Sequence, residues 1–269
     1  MLEQVRCLLL DLDGTIYLGD QLIPGALRLK EAAERIGMDV FFLTNNSSRS
    51  REHYSKKITK MGWPVHVDSV LSSTQATALT LLERGWRRVY LVGTPSFRQE
   101  LENYGITVAG DAEPSVDCVV VGFDTTLEYS KLRAAGRHIL RGTPMISSNP
   151  DRVCPLEGGE FIPDCAAITA CLLTAYPGTT TEYMGKPELP MLRLVESRTR
   201  WRGRAIAMVG DRLYTDVRFG SRWGLTAVLT LSGETAVEDL GPDDRPDVIV
   251  KDVGELADML LEANGLKPL

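Results

Sequence analysis

Four short clusters in this 269-residue chain carry side chains suited to one kind of chemistry. The first is Asp11-Leu12-Asp13-Gly14-Thr15. On an extended chain, residues two apart point the same way, so Asp11 and Asp13 can face one site while Leu12 points away. Two carboxylates this close repel, and a cation beside them relieves the repulsion. Gly14 permits a sharp turn directly afterwards. The second cluster is Thr44-Asn45-Asn46-Ser47, a hydroxyl and amides after an apolar run. The third is Gly185-Lys186-Pro187. The fourth is Gly210-Asp211, with Asp216 five residues on. Gathered in one crevice, these acids suit Mg²⁺, which prefers one or two carboxylates plus phosphate oxygens. The donors and the lysine suit the remaining phosphate oxygens. A carboxylate is also a nucleophile without prior deprotonation. The chemistry predicted is metal-assisted phosphoryl transfer.

The elements that must position these clusters follow from apolar patterning. Val5–Leu10 is a near-continuous apolar run ending at Asp11, the pattern of a parallel strand buried on both faces. Asp39–Thr44 and Ala205–Gly210 are strands ending at the second and fourth clusters. Further strands are expected at 69–72, 89–93, 118–122, 145–148, 226–231 and 248–251. Helices are expected at 24–37, 49–61, 74–84, 95–104, 129–141, 165–176, 189–200, 215–223 and 253–262, and a Pro- and Gly-rich loop at 149–163. This alternation predicts an α/β fold with a mainly parallel sheet. In such sheets ligands bind outside the carboxyl ends of the strands, where three of the clusters fall.

Spacing adds a domain. Asp11 and Thr44 are 33 residues apart, room for one loop, one helix and one strand. Thr44 and Lys186 are 142 apart, far more than a crossover needs. A second domain is therefore expected at 78–181, inserted into a core formed by 1–77 and 182–269.

Composition narrows the partners. Apolar residues make up 43% and charged residues 25%, and the formal charge is −6, so neither disorder nor a nucleic-acid or anionic membrane surface is indicated. The N-terminus lacks the basic-then-apolar layout of a signal peptide, and the chain is read as cytoplasmic. Five cysteines without a CxxC pair argue against a zinc cluster or a disulfide framework.

The DLDGT at 11–15, Thr44, Lys186 and the GDRLYTD at 210–216 resemble the four motifs of the haloacid dehalogenase (HAD) superfamily of phosphatases. LTNNSS at 43–48, NPD at 149–151 and GKP at 185–187 resemble its NagD-type, p-nitrophenyl phosphatase-like branch. The resemblance runs from about Val5 to Leu261. It implies a Rossmann-like HAD core with an inserted α/β class II cap domain. It implies that Asp11 attacks phosphorus, and that Asp13 protonates the leaving oxygen and later takes a proton from water. Thr44 and Lys186, with Asn45, would bind the substrate phosphate. Mg²⁺ would be held by Asp11, the main-chain carbonyl of Asp13, and Asp211, with Asp216 acting through water. Substrates would be small phosphorylated metabolites such as sugar phosphates or nucleoside monophosphates, with p-nitrophenyl phosphate turned over in vitro. Pairing through the cap as a homodimer is also implied. Pro163-Asp164-Cys165-Ala166 departs from the Pro-Gly-x-Gly-like turn of many relatives, which weakens the carry-over of substrate identity but not of the core chemistry.

Other readings remain at this point. A phosphotransferase or phosphomutase would use the same aspartyl phosphate, although mutase caps usually lie between the first two motifs. A non-catalytic phosphoacceptor module would lack so large an insertion. A dinucleotide dehydrogenase would need a G-x-G-x-x-G after a strand, and none is present. Asn46 and Ser47 either contribute to a phosphate loop or merely end the strand. His53, His66 and His138 are read as surface or packed residues, Glu238–Asp247 as a solvated loop, and 157–160 as either a turn or a substrate-facing loop.

Overall fold

The computed structural model describes residues 1–156, 159–242 and 244–269. Glu157 and Gly158 of the 157–160 segment lie outside the described residues, as does Asp243. Two compact units are present: 1–44, 52–71 and 195–269 form the first, and 45–51 with 72–194 the second. The stretch 78–181 lies wholly within the second unit, which also takes in 45–51, 72–77 and 182–194.

The first unit is built on a six-stranded sheet in the order Val248–Val250, Thr226–Thr230, Ile206–Gly210, Cys7–Leu10, Asp39–Thr44, Val70–Ser72. From Val248–Val250 to Asp39–Thr44 each neighbouring pair is parallel. Cys7–Leu10 is central and buried at every position, as its unbroken apolar run requires. Its register pairs Leu10 with Val209 on one side and Phe42 on the other, so Asp11, Gly210 and Thr44 emerge at the same end of the sheet. Helices Ala26–Ile36 and Val253–Ala263 cover one face with Leu29, Ala33, Leu256 and Leu260. The first stops at Gly37 (φ 78°), whose N–H returns to the Ala33 carbonyl. Asp252 caps the other through the N–H groups of Gly254 and Glu255.

The second unit has its own five-stranded parallel sheet, ordered Thr181–Tyr183, Met145–Ser147, Cys118–Val121, Arg88–Val92, Thr107–Val108. Tyr90, Val119, Val121, Ala135, Ile168 and Leu172 form its core. Thr94 caps the helix Pro95–Asn103 and Asp164 caps Cys165–Ala175.

Two expectations need correction. The loop placed at 149–163 contains an antiparallel hairpin, Val153–Pro155 with Phe161–Pro163. The helix placed at 215–223 begins instead with a wide π-helical turn, Leu213–Val217, and only Arg218–Arg222 is α-helical. A small hairpin at Tyr17–Leu18 and Gln21–Leu22 was not expected either. His138 is buried against Tyr90, while His53 and His66 are exposed. Among the described residues the five cysteines are free thiols, and no helix is long and apolar enough to cross a membrane.

Candidate active site

In the first unit, Asp11 and Asp211 each follow the last residue of a parallel strand, and the π turn brings Asp216 back toward them. One carboxylate oxygen from each of Asp11, Asp211 and Asp216 lies within 4.8 Å of the others. Asp211 and Asp216 are almost fully buried, at 2% and 1% exposure. Asp211 is tightly held: Oδ2 accepts from the Glu234 N–H at 2.7 Å and Oδ1 from the Thr15 hydroxyl at 3.3 Å. Asp216 Oδ2 accepts from the Arg212 N–H at 3.2 Å, closing the π turn on itself. Burial, and then the carboxylate of Asp216, push the Asp211 carboxyl up to about 6.

Gly14 is required beside this cluster. Its φ is +87°, and a Cβ there would fall 2.6 Å from Asp211 Oδ2. The turn it makes is closed by its N–H to the Tyr17 carbonyl at 2.8 Å and held by Ser232 Oγ on its own carbonyl at 2.8 Å.

The chemistry of this donor set fits a divalent cation: three converging carboxylates, two of them buried, that repel one another without a positive charge. Asp216, expected to act through water, offers one oxygen within the same 4.8 Å limit. The Asp13 carboxylate is not part of the trio; the metal expectation at Asp13 concerned its main-chain carbonyl. Asp13 is half-buried, and its main chain forms a β-bridge with Tyr17.

Thr44 is buried at the end of its strand. Asn45 begins the second unit, where it meets Lys186. Asn45 Oδ1 accepts from the Lys186 N–H at 2.7 Å, and Nδ2 donates to the Lys186 carbonyl at 3.0 Å. Lys186 is only 1% exposed. Asn46 Oδ1 accepts from the N–H and hydroxyl of Ser48, an Asx turn that ties it to its own loop. Ser47 Oγ accepts from the Phe123 N–H and from Ser148 Oγ, both at 2.9 Å. Three participants were not expected: Ser73, Thr94 and Asn149. Ser73 Oγ and Asn149 Nδ2 both donate to the Asn45 carbonyl, and Thr94 Oγ1 donates to the Ser48 carbonyl. The NPD run carried the signal for Asn149; nothing in sequence marked the other two.

A family model described as haloacid dehalogenase-like hydrolase matches residues 8–107, and a HAD-hydrolase-like model matches 183–256. Glycerol-3-phosphate phosphatase of Mus musculus is 31% identical, across 98% of this chain and 93% of the mouse protein. The chain belongs to the haloacid dehalogenase-like hydrolases. The acid sugar phosphatase of Staphylococcus haemolyticus is 32% identical across 96% of this chain and 97% of its own. The structure of 4-nitrophenylphosphatase from Thermotoga maritima matches with a TM-score of 0.89 and 37% identity, covering 95% of this chain and 97% of that one. The NagD-like, nitrophenylphosphatase-like branch suggested by the motifs is thus the right one, and this HAD hydrolase is a phosphatase. Hydrolases of this family generally use a divalent metal, and the acidic trio is where this chain can hold one.

Proposed function

We propose that this HAD phosphatase is a Mg²⁺-dependent phosphomonoesterase that works through an aspartyl phosphate. The observation that carries the proposal is the convergence of Asp11 with Asp211 and Asp216 at the carboxyl ends of adjacent parallel strands. Asp11, the Asp13 carbonyl and Asp211 would hold the ion, with Asp216 supporting it. When bound, Mg²⁺ neutralises the acids and draws negative charge from the phosphoryl oxygens.

The protein's own residues carry the rest. An Asp11 oxygen attacks phosphorus and the ester P–O bond breaks. Asp13 gives its proton to the leaving alkoxide. Water then attacks the aspartyl phosphate, passes a proton to Asp13, and inorganic phosphate leaves Asp11 regenerated. Thr44 and Lys186 bind the phosphoryl oxygens as charge shifts onto them. The stretch 78–181 acts as the cap that supplies contacts to the organic part of the substrate.

The substrates we propose are small organic phosphates: polyol and sugar phosphates first, in line with the glycerol-3-phosphate and acid sugar phosphatases, then nucleoside monophosphates. A cytoplasmic setting is supported by the free thiols, which suit a reducing compartment. Purified protein should release phosphate from members of this panel and from p-nitrophenyl phosphate. A chelator should stop the release and added Mg²⁺ restore it. No release from any compound with Mg²⁺ present overturns the proposal; phosphate passed to a second alcohol without release replaces it with a phosphotransferase.

A further inference from the structure

We infer that the Asn45 side chain is a positioning residue that acts through Lys186, not a ligand of the substrate phosphate. The inference rests on the reading of Lys186 as the phosphoryl-binding lysine. Both polar ends of the Asn45 amide are engaged by one residue's main chain, the oxygen on the Lys186 N–H and the nitrogen on the Lys186 carbonyl. The Lys186 N–H can only donate and its carbonyl can only accept, so the orientation of the amide is forced. This two-point clasp resembles one rung of a β-ladder and fixes the backbone on both sides of the Lys186 Cα.

Neighbouring residues are arranged around the clasp. The carbonyl of Asn45 takes two donors, Ser73 Oγ at 2.6 Å and Asn149 Nδ2 at 2.8 Å. Asn149 is itself held, since its Oδ1 accepts from the Asp151 N–H at 3.0 Å. The NPD run at 149–151 therefore anchors Asn45, and Asn45 anchors Lys186. Gly185 completes the device. A Cβ there would lie 2.5 Å from Asn45 Oδ1 and 2.9 Å from the Ser148 carbonyl, so the amide reaches Lys186 only because position 185 has no side chain. No other residue type of this size replaces Asn45. Aspartate would turn an oxygen against the Lys186 carbonyl, and leucine would offer neither donor nor acceptor.

Lysine profits from such a clasp. Its four-carbon stem has many rotamers, and its ammonium is a point charge that acts only where it is placed. A displacement of about 1 Å in a positioned group costs on the order of 10²-fold in rate.

A double-mutant cycle on phosphate release separates the roles. Lys186→Met, Asn45→Ala and the double variant are assayed with Mg²⁺ and p-nitrophenyl phosphate. The expected result is a 10- to 100-fold loss (on the order of) in kcat/KM for Asn45→Ala. The double variant should stay within about threefold of Lys186→Met alone, because the clasp has nothing left to position. Losses that multiply in the double variant overturn the inference, since Asn45 then acts independently of Lys186. Wild-type kcat/KM per folded molecule in Asn45→Ala overturns it too. Wild-type activity in Lys186→Met instead defeats the underlying reading of the lysine, whatever Asn45→Ala does. Should Asn45→Ala lose its cooperative unfolding, Gly185→Ala takes its place in the cycle. It drives a methyl against Asn45 Oδ1 and removes no polar group, and the same non-additivity is expected. Full activity in Gly185→Ala overturns the inference.

Discussion

Asp11 and Asp211 stand at strand ends in the first unit with Asp216 on the π turn beside them, and Asn45, Asn149 and Lys186 stand in the connections of the second. Each group is largely buried, and each is held by bonds between residues far apart in sequence. Their physics is opposite. The acids repel, and burial raises the Asp211 carboxyl to about 6, so the first region is held together against its own charge. The amides of the second region have their donors on acceptors and their acceptors on donors. The first region has the donor set to hold a cation; the second has its side-chain amides bonded to main chain. Mutations should therefore split: removing charge from the first should harm activity and help metal-free stability, while removing polar groups from the second should harm stability.

The largest expected effect is that of Asp11→Asn. Loss of the nucleophile should lower phosphate release by at least about 10⁴-fold, the scale seen when a covalent catalyst is removed. The fold should be intact, and metal-free protein should unfold at equal or higher urea, because a neutral amide relieves the repulsion in the trio. Retained turnover would remove Asp11 as nucleophile, and a fall in metal-free stability would break the contrast between the two regions.

The second effect is a pH dependence confined to metal-free protein. The Asp211 carboxyl sits at about 6 when folded against an ordinary value of 3.8. Folding therefore favours its protonated form. The stability this gives is fully present below about pH 4 and is lost as pH rises through about 6. At roughly 1.4 kcal/mol per unit, the loss is on the order of a few kcal/mol. Asn at 211 has no proton to lose. Unfolding curves of metal-free wild type and Asp211→Asn should thus lie closest near pH 4 and separate by pH 7, with the variant more stable. Saturating Mg²⁺ should close the gap for wild type alone, since an ion at about 100 times its Kd adds about 2.7 kcal/mol to the folded state that binds it. A constant difference between the two proteins from pH 4 to 7 would show that burial beside Asp216 does not raise the Asp211 carboxyl.

The two regions were not equally legible. Asp39–Thr44 is a strand with the bounds its apolar run suggested, and Asp11 and Asp211 follow strands as their patterns required. Burial on both faces leaves a local trace, so the acid-bearing strand ends could be read directly. The hairpin at 153–163 left none, because its short strands do not alternate and Pro155 and Pro163 suggest a loop. The π turn at 213–217 depends on Asp216 accepting from the Arg212 N–H, a choice that no periodicity encodes. Asn45 is the sharpest case. Its type suggested a phosphate contact, and its amide also bonds the main chain of Lys186, 141 positions later. Side-chain bonds to a distant main chain follow from the finished fold, not from spacing.

The smallest effect tests the second region at Ser47, whose hydroxyl was left open between phosphate loop and strand end. The oxygen takes the Phe123 N–H and the Ser148 hydroxyl, and Ser47 is fully buried. Ser47→Ala would leave the buried Phe123 N–H without its acceptor, at about 1–3 kcal/mol. The urea midpoint should drop accordingly, with kcat/KM per folded molecule within about threefold of wild type, the size of a change that leaves the reacting groups in place. This is the reverse of the pattern expected at Asp11, where activity falls and stability does not. A larger loss of kcat/KM without any loss of stability would mean that Ser47 meets the phosphate. The division between a strained region that binds and a satisfied region that positions would then fail at this residue, two positions from Asn45.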